Sequence, residues 1–343
     1  MDRGLLDGVK RNGESIDITT IDSIEERQNF VEKTIGALDL GNIRLLDSPM
    51  KYSLATKGKR LRPLICVLCS EIAGGDYTKT GDAFIALELI HNGTLVHDDL
   101  IDEDDYRRGE TSVHTLYGNK RAVLAGDALL SLSLQYASRT GKIEIVDRLA
   151  ETAFKMVQGV ALQTHYRRKV IPLQTYVELA YLKSGSLFES AAAIGAMVGG
   201  ITDRDRPTVE RFGKNFGIAY QIKDDITDVA SSGESTTRSD IANGDISLPF
   251  ILALQSTDIT PDDRGYLMDV FCGEKTDYTD ADVLRIYDET GSLDASIREM
   301  NRYAEAAKND LKGFSGEAVG CLKRLIKANY TDFKLPTAVV RSP

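Results

Sequence analysis

Residues 89–102, LIHNGTLVHDDLID, bring an acidic cluster out of an apolar helix, and residues 217–228, GIAYQIKDDITD, do the same again. On a helix, positions i and i+4 share a face. Asp98 therefore stands over Asp102 and Asp224 over Asp228, with Asp99 and Asp225 about 100° round. The first cluster continues through Glu103, Asp104 and Asp105. Like charges at i, i+4 cost roughly 0.2–0.5 kcal/mol per pair, so this density favours a cation nearby. Hard carboxylate oxygens in this arrangement suit Mg²⁺, which keeps waters and bridges to substrate phosphates. A solvated helix end explains either motif alone. It fails for the pair, because the other positions of both helices read as core.

Outward from these motifs, helical periodicity runs through 80–98, 122–138, 143–165, 175–199 and 207–229. Leucine, alanine, lysine and glutamate dominate, and alternation between hairpin turns is scarce. The pattern predicts an all-α chain of about a dozen helices packed as one bundle-like domain over 21–343, with a loose extension over 1–20. Residues 231–247, SSGESTTRSDIANGDIS, are a polar stretch directly after the second acidic motif. Such a loop in a helical chain is often a lid or binding loop.

Bulk composition excludes several function classes. The 343 residues are 42% hydrophobic and 27% charged, a globular composition, with a net charge of −10 and a pI near 5.1. That balance argues against nucleic acid as partner. Cys66 and Cys69 fall in the apolar run LICVLC without a second pair at zinc spacing, which predicts core positions. Few cysteines, no apolar leader in the first residues and no run of about eighteen apolar residues predict a cytoplasmic protein without a membrane span.

Anion binding by an acidic protein needs local cations. Lys59 and Arg62 in GKRLRP precede an apolar helix, and Arg107 and Arg108 follow the first acidic cluster. Arginine forks match phosphate oxygens and lysine acts as a point charge. Beside two DDxxD motifs these cations point to a diphosphate site.

The motifs and their order resemble those of the trans-isoprenyl diphosphate synthases, the polyprenyl synthetase family, over residues 46–333. GKRLRP is similar to the family's GGKRLRP, with Lys57 at the first glycine. Residues 91–109, HNGTLVHDDLIDEDDYRRG, resemble the first aspartate-rich region, with Glu88 and His91 as its ExxH. KSGSLF at Lys183 resembles the K-T-A/G segment, with Ser184 at the threonine. YQIKDDITD resembles FQxxDDxxD.

The resemblance implies an isoprenoid synthase fold with a central hydrophobic cavity, and the joining of isopentenyl diphosphate to an allylic prenyl diphosphate. By it, three Mg²⁺ ions hold the allylic diphosphate on Asp98, Asp102 and Asp224, with Asp99, Asp225 and Asp228 assisting, and Arg107 grips the same group. Lys59, Arg62, His91, Arg108 and Lys223 bind substrate diphosphate, all but Lys223 assigned to isopentenyl diphosphate. Lys183, Ser184 and Gln221 face the reacting carbons. The resemblance implies a homodimer. It also implies that the released diphosphate takes the proton, so no dedicated base is expected.

Two departures stand out. Ser235 and Asp245 occupy positions where relatives carry lysines, with Arg238 as a candidate compensating charge. An aspartate beside a diphosphate weakens binding unless it points away or meets a cation. Before Asp98, where short-product relatives carry aromatic rings, this chain has Gly93 and Thr94. That predicts a pocket extending past a farnesyl tail, to floors at Leu89, Ile90, Leu132 or Tyr136, and a geranylgeranyl or longer product. A catalytically quiet subunit of a heteromeric synthase and a terpene cyclase are the alternatives. The second DDxxD speaks against the cyclase.

Overall fold

The computed structural model describes residues 18–41, 44–55, 58–231 and 240–335, and most of them are helical. The chain opens with α1 (Ile18–Gly36), α2 (Arg44–Ala55) and α3 (Leu61–Ile72), followed by α4 (Gly81–Ile101). Next come α5 (Val113–Tyr117), α6 (Asn119–Arg139) and α7 (Ile143–Tyr166). α8 (Leu173–Ala180) passes through a widened π-helical turn, Tyr181–Gly185, into α9 (Ser186–Gly199), and α10 (Arg206–Ser231) follows. Then come α11 (Asp240–Asn243), α12 (Leu248–Gln255), α13 (Pro261–Cys272), α14 (Asp280–Glu289), α15 (Ser292–Asp310) and α16 (Glu317–Ile326). The extension expected over 1–20 lies outside the described residues up to residue 17, and so do Ser235 and Arg238.

Local chemistry sets the helix ends. At α13, Thr260 Oγ1 accepts the Asp263 N–H at 3.1 Å and Pro261 fills the first turn, where no N–H is needed. Thr279 caps α14 in the same way through the Asp282 N–H.

The motif-bearing helices owe their places to burial. Phe84, Leu87, Leu89 and Ile90 of α4 are fully buried, and so are Leu64, Ile65, Cys66 and Cys69 of α3. A helix apolar on most of its faces must lie inside. α4 packs along α6 and α3, α9 packs between α3 and α10, and α10 lies against α15. The C-terminal turns of α4 and α10 thereby open on the same space. Among the described residues no helix is long and apolar enough to cross a membrane.

Candidate active site

Asp98 and Asp102 of α4 line one cavity together with Asp224 and Asp228 of α10, and its volume is about 400 Å³. Asp102 caps α4 with its N–H on the Asp98 carbonyl at 2.8 Å, so the two carboxylates keep their helical stacking. Glu103, at φ +57°, then breaks the helix. Tyr106–Arg107 and Glu110–Thr111 pair antiparallel around Arg108 and Gly109, whose φ values of +53° and +79° make the tight turn that suits a two-residue hairpin. Tyr52 Oη anchors this hairpin by donating to the Thr111 carbonyl at 2.6 Å. The hairpin folds Arg107 back, and its Nε donates to Asp99 Oδ1 at 2.6 Å.

The second motif is held by neutral donors. Asp225 is buried and accepts from Tyr176 Oη at 2.6 Å, Gln221 Nε2 at 3.0 Å and the Leu248 N–H at 3.0 Å. Ser184 Oγ donates in turn to Gln221 Oε1 at 2.5 Å. Asp228 Oδ2 accepts the Asp240 N–H at 2.9 Å. The π-helical turn, a device frequent at functional sites, aims Lys183 and Ser184 into the cavity between the two motifs.

Electrostatics reflect this crowding. Burial pushes Asp98 up to about 6, against the pull of Lys183. Burial and then Asp225 push Asp224 up to about 7: its carboxylate opens to the cavity but lies deep in the protein mass. Asp228 reaches about 6 through burial, despite the Asp240 N–H. Burial opposes charge on Lys183, but Asp98, Asp240, Asp245 and Asp102 outweigh it and hold the ammonium above its ordinary range.

A small basic basin adjoins the acidic lip, lined by Gly58, Lys59, Arg62, His91, Arg108 and Tyr220 among others. Arg62 lies 4.3 Å from the Phe188 ring centroid, and its Nη1 is 3.2 Å from His91 Nε2. Its buried Nε has no hydrogen-bond partner. Burial, then Arg62, Arg108, Arg107 and Arg60, hold His91 well below its usual range, so the imidazole is neutral. Lys223, predicted as a substrate ligand, lines neither the basin nor the acidic cavity: its ammonium lies 5.3 Å from the Phe333 ring centroid, and burial and then Lys59 bring it down to about 8. Arg60, between the two site cations, also lines the basin but is paired with buried Glu88 at 2.5 Å.

Comparison with known proteins places the sequence in a family. The model for polyprenyl synthetase fits residues 43–289. The chain belongs to the polyprenyl synthetase family. It is accordingly a trans-prenyltransferase. It is 32% identical over 270 residues to a short chain isoprenyl diphosphate synthase of Methanothermobacter thermautotrophicus, covering 76% of this chain and 82% of that one. It is 31% identical over 305 residues to a geranylgeranyl diphosphate synthase of Methanosarcina mazei, covering 86% and 92%. Among solved structures, a polyprenyl synthase from Caulobacter crescentus CB15, complexed with calcium and isoprenyl diphosphate, superposes with a TM-score of 0.83. The identity is 26%, covering 95% of this chain and 100% of that one.

This polyprenyl synthetase departs from sequence expectation at the cavity's mouth and below its acidic lip. Asp245, where a lysine was expected, is buried and meets a cation absent from the sequence argument. Arg167 Nε and Nη2 donate to its two oxygens at 3.0 and 3.1 Å, and Nη2 also donates to Asp102 Oδ1 at 2.7 Å. In sequence, Arg167 belongs to the helix-end charge run YRRK, which carries no signal of a site. Asp240 and Tyr220 also line the cavity and were likewise missed.

Gly93 faces α6, not the cavity. A Cβ on Gly93 would stand 3.1 Å from the Gly126 carbonyl and 3.3 Å from Leu129 and Leu130. The helices approach closely there because neither glycine carries a side chain. Thr94 and Leu95, with Met156 of α7, line the cavity instead, while Leu89, Ile90 and Tyr136 pack in the core.

Proposed function

We propose that the chain condenses isopentenyl diphosphate with an allylic prenyl diphosphate, using Mg²⁺, to make a geranylgeranyl or longer all-trans diphosphate. The observation that carries this reading is the single cavity shared by both acidic motifs, with Lys183 between them and a cationic basin beside it. Among the described residues no three carboxylate, thiol or imidazole side chains converge to hold an ion by themselves. The carboxylate oxygens of Asp98, Asp102, Asp224 and Asp228, brought to one cavity, fit Mg²⁺ completed by substrate phosphates and water, its usual habit. When bound, the metal would neutralise the departing diphosphate so that the allylic C–O bond ionises.

The protein's own groups do the rest. Asp98, Asp102, Asp224 and Asp228 offer oxygens to the metal side, and Lys183 adds fixed positive charge where the leaving group's charge grows. Ser184 gives its hydrogen to Gln221, so its oxygen lone pairs are left for the allylic cation, and Gln221 is oriented by Asp225. Arg62, Arg108 and Lys59 receive the second diphosphate without metal. His91, being neutral, donates or accepts there without adding charge.

The geranylgeranyl diphosphate synthase among the relatives and the absence of an aromatic ring at residue 94, which lines the cavity, support the product class. Thr94→Tyr should fill the cavity below the acidic lip and shorten the product. Gly93→Tyr should instead force its ring into the α4–α6 contact, costing about 1–3 kcal/mol or more and leaving product length alone. Four unpaired cysteines support a reducing, cytoplasmic setting. Apolar side chains on α6 and α7, among them Leu124 (59% exposed), Phe154 (63%) and Val157 (58%), support a homodimer through these helices. Light scattering on the purified chain checks that assembly. The deciding experiment gives purified chain labelled isopentenyl diphosphate, farnesyl diphosphate and Mg²⁺, then sizes the products. Label in a C20 or longer diphosphate is expected, and absence of incorporation refutes the reading.

A further inference from the structure

The two acidic motifs are joined by a continuous chain of polar contacts, a strap. Asp228 Oδ2 accepts the Asp240 N–H at 2.9 Å, and the Asp240 carbonyl accepts the Asp245 N–H at 2.8 Å. The Asp245 carboxylate then grips Arg167, and Arg167 reaches Asp102. The strap is seated on the end of α7, where the Arg168 N–H donates to the Gly244 carbonyl at 2.7 Å. Both residues at this junction are left-handed, Arg168 at φ +61° and Gly244 at φ +73°. A Cβ on Gly244 would come within 2.4 Å of Arg168 Cγ, so the loop can lie this close only with glycine there.

The charge arithmetic at this corner is specific. Arg167, with 26% of its side chain exposed, serves two carboxylates whose side chains are 19% and 9% exposed, Asp102 and Asp245. Asp245 takes two parallel N–H bonds, the geometry that fixes the plane of a guanidinium. Arg167 touches only Oδ1 of Asp102 among the described contacts, and Asp102 lines the cavity, so Oδ2 is the oxygen this donor leaves unpinned. A carboxylate pinned at one oxygen by a fixed donor presents the other in a defined direction. Such supporting partners typically contribute 10–100-fold to metal affinity.

We propose that Arg167, aligned by Asp245, is a positioning residue that holds Asp102 in the pose in which it binds a metal–diphosphate complex. The strap then ties that pose to Asp228 on the opposite motif. This rests on the diphosphate-binding reading above. The positive charge that the sequence led one to expect at position 245 is provided at this corner by the end of α7.

The test uses the full chain and inorganic pyrophosphate with Mg²⁺, so that binding is read by calorimetry without turnover. Arg167→Gln should weaken Mg²⁺ binding in the presence of pyrophosphate by about 10–100-fold. Asp245→Asn should weaken it by a smaller factor. Asp245→Lys should weaken it as much as Arg167→Gln, because two cations then face each other. The double variant Arg167→Gln/Asp245→Lys should recover most of the loss, since the ammonium introduced at position 245 can reach the place Arg167 vacates. Losses that simply add in the double variant would show two uncoupled residues and overturn the proposal.

Tighter Mg²⁺ binding in Arg167→Gln would also overturn it, making Arg167 a competitor of the metal. Melting curves in EDTA check that each variant folds, and Asp245→Asn keeps the test alive if Asp245→Lys does not. Wild type that binds Mg²⁺–pyrophosphate but transfers no prenyl group would sink the enzymatic reading and leave the positioning role standing. Unchanged Mg²⁺ affinity in Arg167→Gln with prenyl transfer intact would sink the positioning role alone.

Discussion

Where the acidic lip crowds carboxylates, the basin beside it crowds cations, and in both the charge is held against burial. Asp98, Asp224 and Asp228 are pushed up to about 6, 7 and 6. Burial pulls the basin's Arg62 and His91 down. Each of these groups favours its charged form less than it does in water, and each gains when a ligand of opposite sign arrives. The signs decide the consequence. On the function proposed above, a diphosphate would enter the basin directly and would meet the acidic lip only through bridging cations. On that reading one anionic chemistry needs two opposite sites, and a metal requirement attaches to one of them.

The largest effect should come from neutralising the lip. Asp98→Asn and Asp224→Asn should each lower kcat by at least about 100-fold at saturating Mg²⁺, the scale lost when one electrostatic stabiliser is removed. Stability should move the other way. A carboxylate whose folded pKa is raised is best tolerated at low pH, and its contribution is lost as pH rises from the unfolded value near 3.9 towards the folded one. At pH 8 without metal, the amide variants should melt higher by about 2 °C, Asp224→Asn more than Asp98→Asn. Melting below wild type would mean that the lip is not strained by its own charge.

On the basin side, Arg62→Met should raise KM for isopentenyl diphosphate about tenfold or more. A hydrogen bond to a charged group is worth about 1.5–3 kcal/mol. The Mg²⁺ dependence should stay as in wild type, since this site needs no bridging cation. A shift in the metal requirement would erase the distinction between lip and basin.

The helices and the motif pairs were legible because they depend on local spacing. Asp98 over Asp102 and Asp224 over Asp228 follow from helical geometry alone, and so does the core placement of Cys66 and Cys69. What escaped depends on distant elements meeting. Asp225 reads as one more motif carboxylate, but it is occupied by Tyr176, 49 positions away. Asp245 reads as an unfavourable charge until Arg167, 78 positions away, closes on it. Gly93 reads as a pocket residue because α4 alone does not say which face α6 crosses. The crossing at Gly126 decides that, and the free face passes to Thr94 and Leu95.

The smallest effect probes the basin's neutral histidine. Burial and four surrounding arginines depress His91, so folding favours the unprotonated ring. For a base with a lowered folded pKa, the associated stability is fully present above the unfolded value near 6.5 and is lost as pH falls through it. The loss cannot exceed about 1.4 kcal/mol per pH unit for one group. The lip carboxylates titrate with the opposite sign, so the difference between wild type and His91→Gln isolates the histidine. Between pH 7.5 and 5.5, His91→Gln should lose less stability than wild type by urea denaturation, by roughly 1 kcal/mol. Parallel pH dependences would mean that His91 takes up a proton as easily folded as unfolded, and the basin would then tolerate one more positive charge than its crowded arginines allow.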